Sequence, residues 1–168
     1  MSKPNKPQNQ QQSQGQSNTV QSSVFNKPKP AVQTLDQKRA EFVWKKMMQM
    51  QRNQGTLFDA YTKLSKGAGT LIMQNGLMPT LAFYGQKTKG SFSRAGGNEH
   101  AALLEDIFAW LQQQGLIKNA EFSAAMSEIC AEKSSPEYRH ITEETLAVIR
   151  WIRHFASALN VGNTQAGA

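Results

Sequence analysis

SPEYRHITEETLAVIRWIRHFASALN, Ser135 to Asn160, is the stretch on which the fold turns. Ile141, Val148, Ile152, Phe155 and Leu159 stand at offsets 0, 7, 11, 14 and 18. That is one narrow apolar stripe at the helical period. Ser135-Pro136-Glu137 opens the helix with a capping residue, a proline in the first turn and an acid near the positive end of the dipole. Trp151 flanks the stripe and is expected in the core or at an interface. Arg150 and Arg153 point away from it and have no acid three or four residues away, which suits phosphate contact better than an intrahelical pair.

Working back from this helix, the same period recurs. Asn119 starts a helix carrying Phe122, Met126 and Ile129. Asn98 caps another, with Leu103, Leu104, Ile107, Phe108, Trp110 and Leu111 as its apolar set and Gly115 as its stop. Thr88 to Gly97 reads as a polar, glycine-rich loop. Pro79 suits the first turn of a helix, and Asn75-Gly76 before it suits a left-handed stop, so two short helices meet at a tight corner. Upstream, Gly67 and Gly69 are expected to divide a weak helix over Thr56–Lys66 from a short one ending at Gln74. Thr34 or Asp36 caps a first helix to Asn53. Nothing alternates with period two for long enough to form a strand. The expectation is an all-α fold, a compact bundle of about six to seven helices over residues 34–160. Low-complexity tails are expected to be disordered at residues 1–33 and 161–168.

The chain has 168 residues, a net charge of +7 and a pI near 9.7, a balance that suits a polyanionic partner. A single cysteine, Cys130, rules out an internal disulfide framework and suits a reducing, cytoplasmic setting. No stretch approaches a membrane span, and the first residues lack the apolar run of a secretory signal. Charge is unevenly placed. Thr34 to Asn98 holds ten Lys or Arg against three acids, and Glu99 to Ala168 holds five against nine. Complementary halves suit an anionic ligand on one side or head-to-tail stacking. On the first helix Lys38, Lys45 and Arg52 are seven apart, as are Arg39 and Lys46. With Phe42 among them, this sector can grip phosphates and stack on a base. The plainer reading puts Phe42 in the core and the cations on a solvated rim.

Catalysis finds little support. His100, His140 and His154 are the only histidines, and none pairs with another at metal-ligand spacing. Cys130 follows Ile129 on an apolar face and is expected to be a buried, inert thiol. KGAGT and RAGGNEH lack the Lys-Ser or Lys-Thr of a phosphate-binding loop. No enzyme, metal site or cofactor is expected.

Three blocks, LDQKRAEFVWKKM, NGLMPTLAFYGQK and YRHITEETLAVIRWIRHFASAL, appear in this order and spacing. Together they resemble the small subunit of type III-B CRISPR effector complexes, the Cmr complex, over residues 34–160. The resemblance implies a non-catalytic helical bundle acting in antiviral defence. It implies copies stacked in a short filament beside the other Cmr subunits, where the filament helps hold target RNA paired to guide RNA. The basic positions that match are Lys38, Arg39, Lys45, Lys46, Lys87, Arg150 and Arg153, each expected to contact RNA. The helix restarting at Pro79 is expected to bury Leu81, Ala82 and Phe83 and to deliver Lys87 and Lys89 to the RNA groove. The alternative is a free-standing helical nucleic-acid-binding regulator.

Overall fold

The computed structural model describes residues 32–53 and 55–160. Apart from Val32 and Gln33, both expected tails lie outside these residues. Six helices follow one another: α1 (Leu35–Asn53), α2 (Gly55–Asn75), α3 (Leu77–Lys87), α4 (Glu99–Gln113), α5 (Phe122–Ala131) and α6 (Ser135–Asn160). A single 3-10 turn, Arg94–Gly96, interrupts the loop before α4. There is no strand among the described residues. None of their helices is long and apolar enough to cross a membrane.

α6 lies against both α1 and α2, and α4 packs on α2 and α6. α3 and α5 cover α4. The core between them holds Trp110, Tyr61, Phe58, Phe108, Met47 and Met50, all essentially inaccessible to solvent. From the α6 stripe, Ile141, Val148 and Ile152 are buried, and Phe155 and Leu159 pack at its edge. The whole apolar set of α4 is buried.

The caps explain where helices begin. Thr34 Oγ1 accepts from the Gln37 N–H at 3.2 Å while Gln37 Oε1 accepts from the Thr34 N–H at 2.8 Å. This reciprocal box satisfies two end groups at once. Asn98 Oδ1 accepts from the His100 and Ala101 N–H groups. α5 starts at Phe122 rather than Asn119, because the Glu121 carboxylate caps Ser123 and Ala124. Asn119 instead accepts from the Glu121 N–H, holding the turn before the cap.

One other boundary differs from expectation, while the corner at Gly76 is met, with Pro79 in the first turn of α3. α2 runs unbroken through Gly67 and Gly69. Each glycine costs about 1 kcal/mol against alanine in a helix interior. Buried Leu57, Phe58, Tyr61 and Ile72 on the same helix each return roughly 1.5–3 kcal/mol. α3 begins at Leu77, two residues before Pro79. Gly76, its N-cap, has φ 90° and ψ 165°, a positive-φ conformation beyond the left-handed helical region. The Met78 N–H of this first turn donates to the Tyr138 hydroxyl at 3.4 Å. α3 buries Leu77, Thr80, Leu81, Tyr84 and Gly85. Ala82 and Phe83 face outward, contrary to expectation, the latter 43% exposed.

Candidate nucleic-acid interface

α1 sorts its cations by the face on which each falls. Arg39, one turn before the buried Val43, reaches across to α6. Its Nε and Nη2 donate to the two oxygens of Glu144 at 3.1 and 2.5 Å. Trp110 Nε1 donates to the same carboxylate at 3.2 Å. Burial opposes ionisation of Glu144, but Arg39 and the indole N–H hold its carboxyl below the usual range. The hydrogen bond to Glu144 raises the Arg39 guanidinium further.

Lys46 is half-buried. Its Nζ lies 5.7 Å from the Phe42 ring centroid and 3.6 Å from Asp106 Oδ1. Asp106 is buried on α4, where the Arg94 guanidinium also binds Oδ1 and the Tyr61 hydroxyl donates to Oδ2 at 2.9 Å. Burial pushes the Asp106 carboxyl up against the pull of Arg94, Lys46 and Tyr61. Phe42 itself leans on Trp110, with ring centroids 5.2 Å apart.

Lys38 and Lys45 remain outside. With Gln33, Glu41, Phe42, Lys46, Gln49, Gln113 and Gln114 they line a hollow of about 510 Å³ between α1 and the end of α4. Lys45, 71% exposed, holds Glu41 at 2.5 Å. Such an exposed pair adds little to stability, because water solvates both charges well when they part.

The remaining expected contacts stand elsewhere. Lys87 ends α3 with its Nζ 5.2 Å from the Phe83 ring, and its carbonyl accepts from Asn98. Lys89 follows at φ 54°, a left-handed conformation uncommon for a side-chain-bearing residue. Arg150 and Arg153 line a second groove, between α2 and α6, together with Lys66. Lys66 was not among the expected residues. It too has no acid three or four positions away, the same signal that singled out the arginines. The α2–α6 packing that places it opposite them is not visible in sequence.

The structure therefore brings Lys38, Lys45 and Lys46 together and Arg150 with Arg153. It leaves Lys87 on a separate helix and gives Arg39 an internal partner. Part of the charge of the basic front is spent on the acidic back. Arg39, Lys46 and Arg94 from the front meet Glu144, Asp106 and Glu105 from the back inside the fold.

Among the described residues no three His, Cys, Asp or Glu side chains come together to hold a metal ion. Cys130 is exposed, contrary to expectation, with its Sγ 3.2 Å from Met78 Sδ. It lies on the outer side of α5, whose inner side is taken by Ala125, Glu128 and Ile129. His100 is half-buried beside Tyr84, and burial lowers its pKa.

These features define a small all-helical bundle with cations on exposed faces and no evident catalytic constellation among the described residues. A model of the family described as CRISPR-associated protein (Cas_Cmr5) matches residues 35–159, and the chain belongs to that family. It is thus a small subunit of the type III-B CRISPR effector complex, the Cmr complex, and associates with the other subunits of that complex. The crystal structure of a CRISPR-associated Cmr5 family protein from Thermus thermophilus shares the fold. Its TM-score is 0.56 at 24% identity, over 74% of this chain and 98% of that one.

Proposed function

We propose that this subunit is a non-catalytic RNA-binding element. It stacks with copies of itself as a short filament in the cytoplasm and steadies target RNA on the guide during antiviral defence. The observation that supports RNA contact is the hollow at α1. Lys38 and Lys45 open onto it beside the partly exposed Phe42 ring, which Lys46 covers from the inner side, among glutamine amides and Glu41. Cations grip phosphates without reading bases, as a subunit needs when base pairing reads the sequence. Glutamine amides add donors for phosphate or ribose oxygens. Lys87, with Lys89, offers a second, smaller contact beside the exposed Phe83. Arg39 acts indirectly, by fixing α1 against α6 and so holding the face that carries Lys38 and Lys45 in place.

The test is RNA binding by the full chain across a salt series, with wild type against Lys38→Ala/Lys45→Ala. The slope of log affinity on log salt should fall by roughly 0.7–0.9 for each phosphate the variant no longer neutralises. The melting temperature should stay constant. An unchanged slope would remove the α1 hollow from the RNA interface. Lys87→Ala/Lys89→Ala tests the second contact in the same way.

A further inference from the structure

The α2–α6 groove has a different chemistry from the α1 hollow. Its two walls match in length and step. On α2, Lys66, Gly69, Thr70 and Met73 follow one another at i, i+3, i+4 and i+7. On α6, Leu146, Ile149, Arg150 and Arg153 do the same. These two rows, each of two turns, line a groove of about 360 Å³. Its floor is mainly apolar, from Gly69, Leu146 and Ile149 with buried Ser65 beside them, and it has no aromatic ring for a base to stack on. Met73 stands 78% exposed on the rim. Gly69 leaves backbone bare in the floor. A Cβ there would meet only Ile149 Cγ2, at 3.8 Å, which is ordinary contact. The chain's own packing therefore does not require glycine at a position where alanine makes the better helix. The charged side chains on the rim are all cationic. Among the described residues no carboxylate lies within 4.0 Å of Lys66, Arg150 or Arg153.

We propose that this groove docks an acidic amphipathic helix of another protein subunit. Its small or aliphatic side chains, spaced at i, i+3 or i+4 and i+7, would seat over Gly69, Leu146 and Ile149. Carboxylates on its flanks would meet Arg150, Arg153 and Lys66. Helix-in-groove recognition reads this spacing. Arginine and methionine are the side chains enriched where protein surfaces meet, because the guanidinium is weakly hydrated and the thioether adapts its shape. Phosphate-lined RNA satisfies the cations but leaves the apolar floor and Met73 unused. The α1 hollow and this groove are then two surfaces for two partners.

The experiment uses the assembled effector complex with Met73 replaced by the photo-cross-linker benzoyl-phenylalanine, followed by mass spectrometry of the cross-linked product. The expected product is a peptide of another subunit that carries Asp or Glu on successive helical turns. Arg150→Glu/Arg153→Glu should cut its yield by about tenfold or more, equal to about 1.4 kcal/mol. RNA affinity of the full chain alone, read with the charge-removing Arg150→Gln/Arg153→Gln at physiological salt, should change by less than about twofold, because charges beyond a Debye length are screened. Gly69→Leu, which fills the floor and leaves every charge in place, should give the same fall in cross-link yield. A cross-link to RNA, to a second copy of this chain, or to no partner in the complex would overturn the proposal. So would a fall in RNA affinity of the isolated Arg150→Gln/Arg153→Gln variant. Failure of the α1 variants to alter RNA binding would sink the RNA reading and leave this groove unaffected.

Discussion

Lys38 and Arg39 are neighbours on one helix, carry the same charge and serve opposite ends. Lys38 opens onto the α1 hollow. Arg39, with its side chain 16% exposed, is locked to Glu144, which is 5% exposed. The same division recurs two turns on, where Lys45 reaches solvent and Lys46 turns toward Asp106. A cation's role is set by what stands opposite its face of the helix. One step along the chain rotates the side chain by about 100°. Counting charge by segment therefore overstates what α1 can offer to RNA, because part of it neutralises carboxylates from α4 and α6.

This division is open to attack from its buried side first. Arg39→Ala removes the main partner of a buried carboxylate, and such losses cost about 3–5 kcal/mol. Chemical denaturation should show that loss, while RNA affinity changes little. A large fall in affinity with unchanged stability would move Arg39 to the RNA side of the comparison. The same carboxylate predicts a pH dependence. Glu144 titrates below its ordinary value of 4.5 in the folded chain. Its contribution is fully present above that pH and is lost as pH falls below it. Glu144→Gln should flatten the acid limb of the stability profile. Asp106 has the opposite sign. Burial raises it above its ordinary 3.8, so the stability it contributes is present below that pH and fades as pH rises through the folded value.

Arg94 offers a smaller effect. It ties the loop before α4 to Asp106 and Glu105, and its backbone N–H also donates to Glu105 at 3.0 Å. Arg94→Ala leaves Asp106 with Tyr61 and Lys46. Removing a hydrogen bond to a charged group costs about 1.5–3 kcal/mol. Limited proteolysis should find the segment Thr88–Gly97 cut faster in this variant. Equal cutting would mean that Arg94 holds the carboxylate without holding the loop.

The α6 stripe, the α4 apolar set and the Asn98 cap were legible because each is a short-range pattern whose partners lie within a few turns. The break expected at Gly67 and Gly69 followed local propensity, and tertiary burial of the α2 apolar face overrode it. The partner of Arg39 lies 105 residues away, and no periodicity joins positions so distant. Nor does local sequence reveal that Lys66 faces Arg150 and Arg153 across a groove. The absence of nearby acids marks all three as free cations, but only the crossing of α2 and α6 makes them one surface. Cys130 shows the limit of face-reading on a short helix. One residue beyond buried Ile129 is already the solvent side.

The smallest effect on stability is the sharpest test of the comparison. Lys45 and Glu41 form an exposed pair four residues apart, and Lys45 is 71% exposed. Its removal takes away an ion pair that contributes little, because water solvates both charges well when they separate. Lys45→Ala should therefore leave the denaturation midpoint almost unmoved. In the RNA reading the same substitution lowers affinity at low salt, and the deficit shrinks as salt rises and counterion release loses its advantage. Arg39→Ala should show the reverse, with a large loss of stability and little salt-dependent change in binding. If both variants lost stability and affinity together, α1 would be one coupled surface, and its separation into an inner and an outer row of cations would fail.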